Sequence, residues 1–278
     1  MTAQFLASAL LEVLKEARAS NDVSSYLRLN FDVKSSNTFA QYVPIEARLS
    51  KEHPFIPLMV RTKPEVMCGE IHNLTHNTYQ INMQNYRNSR RYFDDRGART
   101  EIPFDERDIS VTVELYKLLS DCIESLVMDA EKDKKMVVRT DKARTAKSLI
   151  VPCLTYHTAV QTITKGGDDI SNAILRLKLV PTKKDPSIFM IKTFLDRSHD
   201  IHTGKPLTTE NISVLCPRRT KVTAIVNSSA LTLTATGIYL RMYIDDLKLE
   251  RPADTSSSPL DDEDEEGPRD APPSQDQE

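Results

Sequence analysis

From Ala173 to Leu179, and again from Ile238 to Ile244, apolar residues fall on every second position: Leu175, Leu177 and Leu179, then Ile238, Leu240, Met242 and Ile244. A period of two turns one face of a segment toward a core and the other toward water, so both segments require a sheet with a buried side. The outward positions are Arg176 and Lys178 in the first segment and Tyr239, Arg241 and Tyr243 in the second. Lys147 to Tyr156, Ser187 to Phe194, Lys221 to Val226 and the rest of Leu231 to Leu249 favour strands as well. Turn signals at Lys165 to Asp168, Pro181 to Pro186 and Gly204 to Pro206 separate them. About five strands in a segment of this length close a small barrel or pack as a sandwich.

The first half is mixed. Phe5, Leu6, Ala9, Leu10, Val13, Leu14 and Ala17 follow helical spacing over Ala3 to Arg18, and Ser20-Asn21-Asp22 ends the pattern. Tyr26 to Val33 alternates as a strand, with Leu27, Leu29, Phe31 and Val33 on one face. Tyr42 to Leu49 and Phe55 to Arg61 are further strands, which Pro44, Pro57 and Pro64 confine to edges or bulges. Asn77 to Thr100, rich in Asn, Arg and aromatic residues, reads as a long exposed loop. Spacings of three and four from Val113 to Val127 predict a helix over about residues 108–131, and a basic stretch up to Lys147 then links the halves. The expected fold class is α+β and strand-rich. Residues 1–135 form a mixed α/β region packed on or part of the barrel, 136–251 an OB-fold-like β-barrel, and 252–278 a disordered acidic tail.

Charge follows the same division. Residues 254–278 hold ten acidic side chains against Arg269, a charge of −9, which leaves +6 on residues 1–253 of a chain whose net charge is −3. Such a tail cannot bury enough apolar surface to offset its chain entropy. A basic body beside an acidic tail points to a polyanion partner and an internal competitor for it. No run of about 18 apolar residues occurs, and the start carries Glu12, Lys15, Glu16 and Arg18, so neither a membrane span nor a secretory leader is expected. Cys68, Cys122, Cys153 and Cys216 are dispersed, which suits a reducing compartment, and Asn73 and Asn211 then match glycosylation sequons by chance.

Two constellations suit single-stranded nucleic acid. Between residues 79 and 99, Arg87, Arg90 and Arg91 alternate with Tyr86, Tyr92 and Phe93; guanidinium groups neutralise phosphates while rings stack on any base. The second is the outward strand face of Arg176, Lys178, Tyr239, Arg241 and Tyr243. Metal binding by Cys68, His72 and His76 has little support, since Asn73, Thr75, Asn77 and Thr78 are poor helix formers and no second cysteine is near. His199 and His202 sit in a Thr/Gly/Pro loop. Gly204-Lys205 lacks the upstream glycine of a phosphate loop, no GxSxG occurs, and Gly166-Gly167-Asp168 reads as a hairpin turn. The carboxylates of Asp94/Asp95 and of Asp245/Asp246 point opposite ways on a strand. No enzyme and no cofactor are expected.

The segment Ala146-Lys147-Ser148-Leu149-Ile150-Val151-Pro152-Cys153-Leu154-Thr155-Tyr156, followed by the basic strand Ile174-Leu175-Arg176-Leu177-Lys178-Leu179, resembles the single-stranded DNA-binding proteins of poxviruses and other nucleocytoplasmic large DNA viruses. The resemblance covers about residues 140–250 and includes the acidic tail. It implies an OB-type barrel that coats single-stranded DNA, with RNA left open, during viral replication, recombination or repair, in the host cytoplasm or nucleus. It also implies replication proteins recruited through the tail, and it allows a homo-oligomer. The tail ends Ser274-Gln275-Asp276-Gln277-Glu278, without the aromatic residue that finishes many single-strand binders' tails. The rival expectation is a structural or assembly scaffold of a virion or replication factory that binds no nucleic acid. A polymerase clamp would need two similar halves, and no repeat is present.

Removing residues 254–278 is expected to tighten binding to single-stranded DNA at low salt, because a competing charge of −9 leaves with them. Unchanged affinity of the truncated chain in a filter-binding titration would contradict a competitive tail.

Overall fold

The computed structural model describes residues 3–32, 40–63, 72–74, 78–84, 91–93, 99–101, 110–135, 145–156, 173–195, 207–212 and 221–250. The acidic tail, residues 136–144 of the basic link, and the turns expected at Gly166-Gly167 and Gly204 lie outside the described residues.

Strand β1 (Phe5–Leu6) leads into helix α1 (Ala7–Ala19), whose buried residues Ala7, Leu10, Leu11, Leu14 and Ala17 repeat at three and four. The helix ends as Ser20-Asn21-Asp22 suggests. Asn21 takes φ 56°, a left-handed conformation its short side chain tolerates, while Asp22 N–H donates to Ala17 and Asn21 N–H to Arg18. Strands β2 (Leu27–Leu29), β3 (Gln41–Ala47), β4 (Ile56–Pro57) and β5 (Met59–Arg61) follow, so the strand expected from Tyr26 to Val33 is shorter: Tyr26 caps a single helical turn at Val23–Ser25, and the chain leaves the ladder after Leu29. Next come β6 (His72–Leu74), β7 (Thr78–Gln84), β8 (Arg91–Phe93) and β9 (Arg99–Glu101).

Helix α2 (Val111–Lys132) begins at Ser110, whose hydroxyl caps Val113 N–H, and closes with Lys134 at φ 56° and Lys135 N–H donating to Ala130. Its buried face is wide, running from Thr112 to Ala130, and it packs on α1, with Lys15–Glu114 at 2.9 Å and Arg18–Asp121 at 2.6 Å along the seam. Where a strand was expected from Lys147, a helical turn α3 (Ala146–Leu149) forms instead, because the Glu131 carboxylate accepts the Ala146 N–H. Strands β10 (Ile150–Val151), β11 (Leu154–Tyr156), β12 (Ala173–Leu179), β13 (Lys192–Leu195), β14 (Lys221–Asn227), β15 (Ala230–Leu233), β16 (Ile238–Leu240) and β17 (Tyr243–Glu250) complete the described chain.

The fold is mixed α and β and rich in strands. Among the described residues a nine-stranded sheet runs β1-β5-β14-β17-β12-β7-β6, with β11 on β12 and β13 on β17. A six-stranded sheet runs β10-β16-β15-β3-β2, with β4 on β3. Each sheet combines strands from before residue 135 with strands from after residue 145. The segment expected as one long strand from Leu231 is a hairpin, because Thr234 Oγ1 accepts the N–H of Thr236 and of Gly237 and closes a turn. Its two arms bend, so β14 and β15, and likewise β16 and β17, belong to different sheets. β3 lies inside its sheet, not at an edge: Pro44 stands at the end of the β15 register, opposite Ala230, and needs no ladder donor there.

The segment from Asn77 to Thr100 is not a plain loop. β7 pairs antiparallel along β12, placing Tyr79, Ile81 and Met83 opposite Leu179, Leu177 and Leu175, while β8 and β9 pair with each other. No helix among the described residues is long and apolar enough to cross a membrane.

One residue of α2 fastens the bends. Tyr116 is fully buried, its hydroxyl is 2.6 Å from Ser228 Oγ at the β14–β15 bend, and its carbonyl accepts from Cys153 Sγ at 3.0 Å beside the β10–β11 break. Tyr116→Phe leaves Ser228 Oγ buried without a partner, and Ser228→Ala orphans the phenol, so each is expected to cost about 1–3 kcal/mol. The double variant, which removes both polar atoms, should fall well short of their sum. Urea unfolding of the four proteins measures this, and strict additivity would show that the pair is not coupled.

Candidate nucleic-acid interface

The outward residues of the two sheets meet where β16 becomes β17. On β3, Val43, Ile45 and Ala47 are buried, which turns Tyr42, Pro44 and Glu46 outward. Tyr42 is directly opposite Thr232, and Thr232 directly opposite Tyr239, so the two tyrosines share one face across three strands, 37% and 38% exposed. Val151 of β10, opposite Tyr239, extends the row and is also exposed.

At the bend, Arg241 leaves the ladder of β16 but donates its backbone N–H to Ala230 at 3.1 Å. Its guanidinium carbon lies 5.2 Å from the centre of the Tyr42 ring and 4.7 Å from that of Tyr243, within cation–π range of both. The strand expected without interruption from Ile238 to Ile244 is therefore broken at Arg241-Met242, and the break is what lets one guanidinium reach a ring from each sheet. Tyr243 is the register partner of Lys178, whose N–H donates to Met242. Lys178 and Arg176 project from β12 on the exposed side, with Leu175, Leu177 and Leu179 buried behind them.

Among the described residues, no ion pair engages Arg176, Lys178 or Arg241, so their charges face solvent uncompensated by a carboxylate. The nearest acid along β17 is Asp245, held by the Asn227 amide at 3.2 Å; burial raises its pKa, and the Asn227 bond opposes the rise. A register shift between Ile225 and Val226 leaves both Asp245 and Asp246 part-exposed, where plain alternation would have separated them. Among the described residues no group of three or more potential metal ligands occurs. Burial pushes the Cys153 thiol up to about 12 and that of Cys122 up to about 11, so both persist as unreactive thiols at neutral pH.

The structure thus brings Arg176, Lys178, Arg241 and Tyr243 to one place, with Tyr239 on the same sheet as Tyr42. Arg87 and Arg90 lie outside the described residues, and Arg91, Tyr92 and Phe93 form β8, with Arg91 opposite Glu101 of β9. Cys68 and His76 are likewise outside, while His72 sits in β6. Tyr42 and Gly237 were missed. The alternation of Gln41 to Ala47 marks Tyr42 as outward, but nothing local ties it to Arg241. Comparison with protein-family models and with curated proteins finds no match for this chain.

Gly237 explains how the Tyr239 ring is placed. A Cβ at Gly237 would lie 2.9 Å from Tyr239 Cζ and Oη, so the ring rests on the bare glycine of the turn. Gly237→Ala must displace the ring; because that ring is the mobile end of a half-exposed side chain, stability should change by no more than about 0.5 kcal/mol. Shifts of the Tyr239 ring protons by NMR, with an unchanged urea midpoint, are the expected result.

Proposed function

We propose that this chain binds single-stranded DNA without strong sequence preference and that it acts as a binding protein rather than as an enzyme. The observation that carries the reading is the Arg241 guanidinium held against the Tyr42 and Tyr243 rings, next to Lys178 in register and Arg176 on the same strand. A guanidinium oriented by two rings keeps its N–H groups free for phosphate oxygens and loses little side-chain freedom on binding. Exposed rings at Tyr42 and Tyr239 offer faces on which any base stacks. We further propose that the bent hairpin and its neighbours serve as an OB-type platform. Strands that pass from one sheet to the other through short bends are the device by which small orthogonal barrels turn their corners. Coating of strands in replication, recombination or repair, and recruitment of partners by the acidic tail, follow from the same proposal and from the resemblance of residues 146–156 and 174–179.

Fluorescence anisotropy with labelled oligo-dT at several salt concentrations tests the reading. Saturable binding is expected, with a log–log salt slope that falls by about 0.7 for each phosphate contact removed by Arg176→Ala, Lys178→Ala or Arg241→Ala. Tyr239→Ala should weaken binding by about 1–3 kcal/mol at every salt concentration, since stacking is not screened. A scaffold without nucleic-acid affinity would show no saturable, salt-sensitive signal.

A further inference from the structure

Thirteen ångströms or so along β3 from Tyr42, four residues at about 3.3 Å each, the same outward face carries a second cluster of rings and cations. Glu46 is outward by alternation and directly opposite Arg28 of β2, to which it is bonded at 2.6 Å. The Arg28 guanidinium lies 4.3 Å from the centre of the Phe55 ring, and that of Arg48 lies 4.5 Å from the same ring. Arg48 is held by main-chain carbonyls, its Nε donating to Ser25 and its Nη1 to Lys51; it makes no ion pair among the described residues, although, behind the Lys51 hydrogen bond, its charge helps hold the Asp22 carboxyl below its ordinary pKa. Lys51 lies 6.0 Å from the Tyr26 ring.

We propose that this cluster is a second contact zone for the same single strand, so that the bound DNA runs from Lys178 and Tyr243 over Arg241 and Tyr42 and along β3 to Phe55. The inference rests on the single-strand reading of the first cluster. Three features favour a nucleic-acid occupant. The zone repeats the chemistry of the first, a ring with a guanidinium over it. It is continuous with the first through the outward face of one strand. Its two ion pairs, Arg28–Glu46 and Lys51–Asp22, are close but wetted on the cation side, where the side chains are 50% and 59% exposed; such pairs contribute little, so a phosphate can compete for either cation. A purely structural cluster accounts for the Arg48 bonds, which fasten the turn after β3, but it gives no reason for two guanidinium groups on one half-exposed ring.

The test compares oligo-dT of about 6 and about 20 nucleotides, lengths that bracket the footprint of one such platform. Phe55→Leu keeps an apolar side chain and removes the ring, and Arg28→Gln/Lys51→Gln removes two exposed cations. Each is expected to weaken binding of the long oligonucleotide about tenfold while leaving the short one within about twofold. The double variant should also lower the salt slope for the long oligonucleotide by about 1.4, two phosphates' worth. Equal losses on both lengths, or none on the long one, would overturn the second zone. Should the double variant unfold by circular dichroism, Phe55→Leu decides alone. Absence of wild-type binding to either length would remove the first reading together with this one, whereas wild-type binding unaffected by the variants removes only the second.

Discussion

Tyr116 is where the two sheets are fastened together. Its hydroxyl reaches Ser228 at one bend and its carbonyl takes the thiol of Cys153 at another. The remaining bends close around the first: Ser228 N–H donates to Leu58, Leu58 N–H to Ile45, and Ile45 N–H to Ser229. A sheet that bends gives up ladder bonds at the bend, and each orphaned amide buried there costs about 1–3 kcal/mol unless something else accepts it. The bends of β4–β5 and β14–β15 therefore supply each other's partners, and α2 provides the polar atoms that strands alone lack. Burial raises the Tyr116 pKa far out of the physiological range, so the phenol stays neutral and the contact is a hydrogen bond at every pH at which the protein works.

The outer surface inherits its shape from this arrangement. If β16 continued straight into β17, Tyr239, Arg241 and Tyr243 would stand in a line at intervals of about 6.6 Å, each with strand neighbours of its own sheet. The break at Arg241-Met242 instead sends β16 and β17 to different sheets, and Arg241 comes to lie near a ring from each. Packing in the core and chemistry on the surface are therefore linked through the same few residues, with Ala230 joining them: it pairs with Pro44 in the ladder and accepts the Arg241 N–H.

Local pattern made some of this legible and left the rest hidden. The stop at Ser20-Asn21-Asp22 was readable because it is a matter of backbone conformation within three residues, and α2 was readable because its apolar spacing spans about four turns. The face of Arg176 and Lys178 was readable from period two alone. β7 was obscured, since Asn and Gln between Tyr79, Ile81 and Met83 read as loop chemistry while the pairing with β12 that makes them a strand lies nearly 100 residues away. The turn of α3 depends on the Glu131 carboxylate reaching Ala146, and the role of Tyr42 depends on Arg241, so neither has a local signal. Contacts between distant segments also decided the bends, where serines and a proline read equally well as ordinary turns.

Among the described residues the cations on this surface differ in what holds them, and the difference decides how much of a modest net charge is left uncompensated. Along the helices the cations are spent on neighbours: Lys15, Arg18 and Lys147 pair with Glu114, Asp121 and Glu124. On the sheets Arg28 pairs with Glu46, but Arg176, Lys178 and Arg241 have rings or solvent beside them instead of acids. A charge of +6 spread evenly over a body of this size would create a weak field, but Arg176, Lys178 and Arg241 stand close together without acids, so the field beside them is stronger. The cation–π contacts sharpen the effect, because a ring orients a guanidinium without neutralising it, whereas a carboxylate does both. An arginine held only by rings accordingly keeps its charge uncompensated, whereas one held by an acid must first give that acid up.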